Sequence, residues 1–447
     1  MSTSNEHGDG QDEQEPGDMM LMHPVKETWI QYGVISLGIW LIFSPMTFGY
    51  GSTLLSWSDV ITGTLLVVLS TITIVRDNPW ASYANGLAGF WLLMAPLVFH
   101  APTAAAYLND TLVGVLVITF SVIIMMRMDM DGAGVPPGWT YNPSTAAQRF
   151  PLIALALFGF ITSRYMAAYQ LGYIDAVWDP VFGDGTRRIL DSQLSQAFPI
   201  SDAGLGAVAY ALEGLMGFMG DNTRWRTMPW MVTFFGIVVI PLGFVQVLLV
   251  ISQPILVGTW CTLCLLSAFG MLWMISLSFD EVVAMFQLLK RRTDEGVSLW
   301  HAFWMGGKLS EEDAGIPGET RGERDRPAGM FWGVSIPWYL VASMVLGFWL
   351  MLSPWVFGTE GMLADSSHLI GALVVSFTVM ATAEPARALR FVNVPLGAWI
   401  VLAPWLLGGA PAMALWSAVL AGGLLVGLNV PKGKIRDRYG FWQGYIV

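Results

Sequence analysis

The sequence predicts an all-α, polytopic membrane protein with about 12 transmembrane helices. Of its 447 residues, 54% are hydrophobic and only 12% are charged, about half the charged fraction of a soluble globular chain. Apolar stretches of roughly 17–25 residues, long enough to cross a bilayer, recur along nearly the whole length. The predicted spans are residues 30–48, 58–75, 84–99, 110–126, 150–171, 205–220, 229–251, 256–279, 337–357, 367–383, 395–408 and 414–429.

Charged residues outside these spans predict the orientation. The first 27 residues are acidic, without the basic segment and apolar core of a signal peptide, and predict a disordered cytoplasmic tail. With this tail inside, only Arg164, Arg187 and Arg188 of the 22 lysines and arginines fall on the outer side. Because such residues concentrate in cytoplasmic loops, both termini are predicted to face the cytoplasm, with the protein in the cell (inner) membrane. Membrane lipid is one expected partner, and the absence of a basic stripe argues against nucleic acid.

A repeated unit occupies both ends of the chain. Each unit begins with Gly-x-Trp followed by Ser-Pro or Ala-Pro, in the segments Gly38–Gly49, Gly89–His100, Gly347–Gly358 and Gly397–Gly408. A period of about 50 residues predicts two-helix hairpins, two over residues 28–130 and two over residues 331–430. One glycine in the second helix of each hairpin is predicted to allow close helix approach, namely Gly63, Gly114, Gly371 and Gly422.

The chain has two cysteines, which form a CxxC motif at the predicted outer end of the eighth span. Positions i and i+3 share a helix face, so Cys261 and Cys264 can form a disulfide. The helix dipole favours a thiolate there, and the outer compartment permits disulfides. This placement suits electron exchange between a protein disulfide and a lipid-soluble carrier. Two buried cysteines used as small apolar residues are the alternative; no metal is predicted, because nothing nearby completes a zinc site.

Residues 137–290 form the middle domain. Its predicted order is span, long outer loop, span, inner turn, span, short outer turn and the span with the CxxC. The first half of the outer loop is rich in Gly, Asp and aromatic residues and predicts an ordered lid. The second half, which begins DSQLSQAFPISDAGLG, predicts a short helix lying on the membrane. Residues 291–330 are polar and predict a cytoplasmic linker, and residues 431–447 a cytoplasmic tail.

Two family resemblances follow from these motifs. The sequence WCTLC (Trp260–Cys264) opens the last helix of a predicted four-helix bundle, and Ile189–Tyr210 is similar to the loop and second-span start of the vitamin K epoxide reductase family. The flanking hairpins resemble the SPW repeat, whose Ser-Pro-Trp is intact only at Ser353–Trp355. The resemblance implies a membrane module for the repeats and a thiol–disulfide oxidoreductase for the middle domain.

The first resemblance also implies site residues and a cofactor. Cys264 would face a bound quinone of the ubiquinone or menaquinone class, and Cys261 would exchange with an incoming thiol or disulfide. Ser192 matches a serine near the family's active site, and Phe198 with Pro199 would belong to a half-helix lid. Aromatic side chains that could line the quinone pocket are Trp260, Phe234, Phe235, Phe244 and Phe269.

The chain also departs from the family pattern. The outer loop lacks the second cysteine pair that shuttles electrons, and one shuttle position holds Thr186. The tyrosine that some members place one turn after the second cysteine is Ala268 here. With no internal relay, the expected partner is a separate thioredoxin-like or other thiol protein on the outer side, which would reach Cys261 directly.

Three hypotheses of function compete. The first is quinone-linked thiol oxidation, which supports disulfide chemistry outside the cytoplasm. The second is a redox-inactive membrane scaffold or assembly protein on the same fold, with the hairpins as the interaction surface. Transport is disfavoured because the spans show no paired acids, histidine clusters or repeated charges. His100 and His368 are interpreted as interfacial residues near outer helix ends.

Overall fold

The computed structural model describes residues 28–76, 79–125, 134–310, 313–317, 319–320, 329–408 and 411–446. Regular structure in these residues is helical, apart from two isolated β-bridges. The predicted tail 1–27 and parts of the predicted linker 291–330 lie outside the described residues. The protein is therefore an all-α, multi-pass membrane protein, as the sequence predicts.

Four helices form the N-terminal domain: α1 (Thr28–Phe48), α2 (Thr53–Arg76), α3 (Pro79–Val98) and α4 (Ala104–Met125). The two hairpins pack against each other through contacts of α2 with α3 and of α1 with α4. The C-terminal domain repeats this plan with α12 (Trp338–Phe357), α13 (Gly361–Met380), α14 (Asn393–Leu407) and α15 (Ala412–Leu428). The predicted two-helix units are thus joined in pairs, as two four-helix domains.

The middle bundle consists of the long helices α5 (Ala146–Gln170), α7 (Asp202–Phe218), α9 (Pro229–Ser252) and α10 (Thr262–Asp294). Shorter helices connect them: α6 (Gly185–Leu190), α8 (Arg224–Thr227) and α11 (Leu299–Met305). Helices α3 and α4 of the N-terminal domain contact α7, and α13 of the C-terminal domain contacts α9 and α10. Both flanking domains therefore pack directly on the bundle.

Helices occur at the position of every predicted span, but their lengths differ. Among the described residues, ten helices are long and apolar enough to cross a membrane. The other two, α7 and α15, have 17 residues each, at the lower limit for a span. Helix α10 has 33 residues and continues well past its predicted inner end. The count of twelve spans remains a prediction.

A shared pattern of contacts makes each terminal domain nearly two-fold symmetric. The tryptophan of each hairpin donates a hydrogen bond from Nε1 to a polar side chain of the other hairpin in its domain. The pairs are Trp40 with Asn109, Trp91 with Ser58, Trp349 with Ser417 and Trp399 with Ser366, at 2.8–3.0 Å. Each acceptor stands five positions before the glycine of its helix, so the four hairpins share one structural register.

Glycines hold the two helices of each hairpin in close contact. A Cβ atom on Gly63 would lie 2.5 Å from the carbonyl oxygen of Gly38, and one on Gly422 would lie 2.5 Å from that of Gly397. Gly114 and Gly371 meet Gly89 and Gly347 in the same way. The predicted role of these glycines is confirmed.

Gly422→Ala is expected to lower the free energy of unfolding by about 1–3 kcal/mol, because the added methyl group overlaps the facing backbone. Gly423 is the matched control, since a Cβ there meets nothing within 4 Å. Gly423→Ala should therefore be neutral or stabilising, by up to about 1 kcal/mol. Thermal unfolding of both variants in the same detergent measures the difference, and equal melting temperatures would contradict the role of the close approach.

The prediction that the spans lack paired acids is wrong. Asp59 in α2 and Asp110 in α4 are both fully buried, and their carboxyl groups interact with each other. Tyr50 donates to Asp110 at 3.4 Å, and Ser44 donates to Asp59 at 3.5 Å. Each hairpin supplies one acid, so the pair exists only after the two-fold arrangement forms. The absence of paired acids from the spans was one argument against transport, and this pair removes that argument.

The C-terminal tail packs against the end of the bundle opposite the start of α10. Trp139, before α5, forms a β-bridge with Tyr439, and both side chains are fully buried. The carboxylate of Glu384 accepts the backbone N–H of Arg436 and the hydroxyl of Tyr439, both at 3.0 Å. Within the bundle, Arg224 and Glu281 form a buried ion pair at 2.5 Å. The tail thus ties the C-terminal domain to the bundle.

Candidate functional site

Cys261 and Cys264 are joined in a disulfide at the start of α10, with their Cα atoms 5.2 Å apart. Cys261 is the N-cap residue of α10, and its Sγ accepts the backbone N–H of Cys264 at 3.1 Å. Surrounding side chains from α5, α6 and α7 form an apolar cluster that includes Met166, Ala167, Ile189, Leu190 and Ala203. The sulfurs therefore lie at one end of the bundle, among four of its helices.

The position of Cys261 follows from the turn before α10. Helix α9 passes into a π-turn over Gln253–Val257, and Gly258 ends it with a positive φ of 71°. The buried Gln253 side chain accepts the backbone N–H of Cys261 at 3.0 Å. This hydrogen bond satisfies an N–H group that the helix itself cannot pair, and it fixes the cysteine at the end of α9.

Asp179, in the loop between α5 and α7, clamps this loop to the start of α10. Its carboxylate accepts six hydrogen bonds, from the backbone N–H groups of Val181, Phe182, Thr186 and Thr262 and from the hydroxyls of Thr186 and Thr262, at 2.5–3.2 Å. The side chain is only 9% exposed. A carboxylate at the N-terminus of a helix is also favoured by the helix dipole. The loop is thus an ordered lid, as predicted.

The same contacts shift the acidity of Asp179. Burial alone would raise its pKa, but the hydrogen bonds from Thr262, Phe182 and Thr186 outweigh burial and hold the pKa well below its usual range. A lowered folded-state pKa means that the carboxylate stabilises the lid fully above about pH 4 and loses this effect only as the pH falls through the folded-state value. The clamp is therefore intact at neutral pH.

Thr186 stands directly against the buried sulfur. Its Oγ1 lies 2.7 Å from Asp179 Oδ2 and 3.4 Å from Cys261 Sγ. The single hydroxyl proton serves one acceptor at a time, and the carboxylate is the stronger one. Cys261 is fully buried, whereas Cys264 is half-buried. In this disulfide state, the Cys261 sulfur is therefore covered by the loop that carries Thr186.

Trp260 links the disulfide to two other parts of the chain. Its indole stacks on Phe182 of the lid, with ring centroids 6.1 Å apart and 18° between the planes. It also meets His368 of α13 edge-on, at 4.6 Å and 87°. Its carbonyl oxygen lies against Gly185, where an added Cβ would come within 2.1 Å. The interfacial interpretation of His368 is wrong, because the side chain is 3% exposed and packs on the bundle; His100 is exposed.

The predicted loop residues lie apart from the sulfurs in this structure. The Ser192 hydroxyl donates to the carbonyl of Ile189 at 2.6 Å and closes the last turn of α6. Phe198 is 66% exposed and, like Pro199, stands in an irregular segment. The predicted helix over residues 191–206 is wrong: the short helix is α6, which ends at Leu190, and α7 begins at Asp202. Pro199 and the neighbouring turn-forming residues favour bends here.

The aromatic residues that were predicted to line a quinone pocket lie at different levels of the bundle. Phe269 packs against Trp273 and against Phe348 of the C-terminal domain. Phe235 is buried beside Arg224, whose partner Glu281 lies ~25 Å along α10 from Cys264. Phe234 adjoins Phe235 on α9, and Phe244 is 42% exposed. The structure therefore does not bring Phe234 and Phe235 to the disulfide.

Two features near the disulfide were not predicted from the sequence. Asp179 precedes a proline, a pattern typical of side-chain turns, and this signal was available. Tyr210 of α7 donates to the carbonyl of Ser267 at 3.0 Å, one turn below Cys264, and its ring lies on Gly159 of α5. A phenol from α7 thus reaches the level of Ala268 on α10. Only the packing of α5, α7 and α10 reveals this.

A lipid quinone is a planar ring with two carbonyl groups on an apolar tail and arrives through the lipid, so its site needs apolar side chains beside the reacting sulfur. Met166 Sδ lies 3.8 Å from Cys264 Sγ, and Ala167, Val257 and Leu263 belong to the same apolar cluster. Cys264 is the less buried of the two cysteines. The residues around Cys264 therefore fit such a group.

Fold and site together define a polytopic helical membrane protein whose four-helix bundle carries a disulfide at one end. Residues 150–279 match the model of the vitamin K epoxide reductase family. Residues 28–124 and 337–431 match the model of the SPW repeat domain. Comparisons with curated proteins and with solved structures gave no match.

The chain thus contains a vitamin K epoxide reductase family domain between two SPW repeat domains, as the sequence motifs indicate. A domain of this family suggests a membrane thiol–disulfide oxidoreductase kind of function. The matched segment includes the disulfide and the lid.

Thr186→Cys is expected to place a third thiol beside Cys261 and to release Cys264 in a fraction of molecules of order one half, because the exchange replaces one disulfide by another. Alkylation and mass spectrometry under non-reducing conditions measure the free Cys264. Ser192→Cys is the control, since its hydroxyl closes α6, and it should leave the original disulfide in place. Equal exchange in both variants would contradict the position of Thr186.

Proposed function

We propose that this protein oxidises thiols at the outer face of the cell membrane and transfers their electrons to a lipid quinone of the ubiquinone or menaquinone class. The observation that carries the proposal is the Cys261–Cys264 disulfide at the start of a membrane helix, inside an apolar cluster. The distribution of basic residues supports an orientation with both termini in the cytoplasm. This orientation puts the disulfide where a secreted or periplasmic thiol protein can reach it.

The two cysteines have separate roles in this proposal. A thiolate of a thioredoxin-like partner attacks Cys261 Sγ, the S–S bond breaks, and Cys264 leaves as a thiolate. A second partner thiol resolves the mixed disulfide, so the partner loses two electrons and two protons, and Cys261 with Cys264 gains them. Met166 and its apolar neighbours exclude water from Cys264. A bound quinone supplies the two-electron acceptor that returns the pair to the disulfide.

The lid controls access in this scheme. Cys261 is fully buried beneath Thr186, and Asp179 holds Thr186 in place. Attack by a partner therefore requires opening of the loop around α6. The lid then protects the disulfide from other thiols until a specific partner displaces it.

The second candidate is a redox-inactive membrane scaffold built on the same fold. Complete burial of Cys261 and the absence of loop cysteines favour it. In that case the disulfide is a structural staple for the start of α10, and the SPW repeat domains are the interaction surface.

The ratio of quinol formed to thiols lost separates the oxidoreductase from the scaffold. The full-length protein, with its disulfide reduced and placed in lipid nanodiscs, is mixed with ubiquinone or menaquinone under anaerobic conditions. The proposal predicts one quinol formed for each pair of thiols lost, in the wild type and not after both cysteines are replaced by serine. Thiols that persist with excess of either quinone would support the scaffold.

A further inference from the structure

Helix α13 of the C-terminal SPW domain lies against the bundle beside the disulfide. It packs on α9 and α10, and residues of α13 such as Ala372, Val375 and Val379 share an apolar cluster with Met271 and Ile275 of α10. The domain therefore forms a wall of the bundle on the side where Trp260 stands.

His368 is a buried polar residue of this wall. Its ring is 3% exposed and meets the Trp260 indole edge-on at 4.6 Å. It approaches the carbonyl groups of Val250 and Ile251 at the end of α9, without a hydrogen bond of normal geometry. The ring that the imidazole contacts is thus that of Trp260, the residue that precedes Cys261.

Comparison of the four hairpins shows that only one of them has a histidine at this position of its second helix. It stands three positions before the glycine of its helix, where the other hairpins have Val60, Thr111 and Val419. Thr111 is on α4, whose domain also packs on the bundle, and its hydroxyl accepts Arg164 of α5 at 3.3 Å. The valines belong to α2 and α15. At this position, the polar side chains occur on the two helices that face the bundle.

Trp260 transmits the contact to the lid. Its indole also stacks on Phe182, and the Phe182 N–H donates to Asp179 at 2.9 Å. His368, Trp260 and Phe182 thus form a continuous aromatic row from the C-terminal domain to the loop that covers Cys261.

We propose that His368 is a positioning residue of the redox site, whose ring holds Trp260 against Phe182 and so keeps the lid closed over Cys261. The proposal rests on the proposed function, since the closed lid matters only for a disulfide that exchanges. In this role the C-terminal SPW domain controls the access of thiols to the neighbouring domain.

The test measures how fast dithiothreitol reduces the disulfide in the full-length protein in nanodiscs without quinone. Each reagent molecule delivers two electrons and two protons, the S–S bond opens to two thiols, and the reagent closes to its own disulfide. Trapping the new thiols with a maleimide at set times gives the rate. His368→Ala is expected to accelerate reduction about fivefold, the typical effect of one lost aromatic pair.

Two further variants separate positioning from general damage. His368→Phe keeps an edge-on ring and should stay within about twofold of the wild type. His100→Asn is the control, because His100 is exposed and has a positive φ of 48° that asparagine tolerates. Its rate should not change. A wild-type rate in His368→Ala, or an equal acceleration in His368→Phe, would overturn the proposal.

Phe182→Ala keeps the proposal testable if the α13 variants fold poorly, since Phe182 stands in the surface loop. It should accelerate reduction to a similar extent, and combining it with His368→Ala should add less than the two single effects together. Fully additive effects would overturn the proposal. Because no quinone is present, failure of quinone reduction in the wild type would refute the proposed function and leave this result standing.

Discussion

Cys264→Ser is expected to reduce quinone-dependent thiol oxidation at least about 10³-fold, because no second sulfur remains to close the disulfide. The remaining Cys261 thiolate should instead attack the disulfide form of the thiol partner, displace one of its sulfurs as a thiolate and stay joined to the other in a mixed disulfide. Purification of this variant from membranes under non-reducing conditions, followed by mass spectrometry, measures the trapped partner. Retained quinone-dependent oxidation would refute the assignment of Cys264.

Cys261→Ser is the matched variant, and it tests which sulfur the partner attacks. It should lose activity equally but trap no partner, because Cys264 is assigned to the quinone side. This comparison is a strict test, because burial alone would favour attack on the other sulfur. Cys261 is fully buried, whereas Cys264 is half-buried. Trapping on Cys264 alone would reverse the two roles and show that the lid does not open for the partner.

Asp179→Asn should release the lid and accelerate reduction of the disulfide by dithiothreitol about 100-fold. An amide donates where the carboxylate accepts, so several of the six hydrogen bonds are lost, at about 1.5–3 kcal/mol for a bond to a charged group. The melting temperature should change little, because the loop opens locally. Asp175→Asn is the control, since Asp175 is exposed on the same loop. Equal rates in the two variants would contradict the clamp.

The acidity of Asp179 gives the pH dependence of this effect. Because hydrogen bonds outweigh burial and lower its pKa, the wild-type lid should stay closed from neutral pH down to about pH 4. A phosphine reductant, which needs no thiolate, can follow access over this range. The wild type should accelerate only in acid, and Asp179→Asn should lack this acceleration.

Much of the architecture follows from patterns within single segments. Apolar runs predict the positions of the helices, and the repeat period of about 50 residues predicts the hairpins. The CxxC at the start of α10 predicts the disulfide, because two cysteines three positions apart at a helix start are close enough to bond, although Cys261 is the N-cap and not a helical residue. These predictions succeed because each depends on neighbouring residues.

Contacts between distant segments escape such patterns. Asp59 and Asp110 meet only because the two hairpins of one domain pack around a two-fold axis. His368 looks like an interfacial residue until α13 is placed against α10. Phe235 is predicted to line a quinone pocket, but it lies far from the sulfurs. The reason is that α9 begins at the end of the bundle opposite the disulfide. Position along a helix is readable from sequence, whereas the facing partner is not.

The loop between α5 and α7 contains no cysteine. It is a clamped lid, with Thr186 against Cys261 and the Asp179 carboxylate holding Thr186. A lid of this kind makes access to Cys261 a conformational step. Contacts from the C-terminal SPW domain reach the same site through Trp260.

The redox state of Cys261–Cys264 in native membranes tests the central claim most directly. Membranes that contain the full-length protein are treated with a mild reductant, washed, and alkylated with and without added quinone. We expect the reduced pair to return to the disulfide only when quinone is present, and Cys264→Ser to remove this response. A pair that stays reduced and indifferent to quinone would contradict quinone-linked oxidation and favour the scaffold.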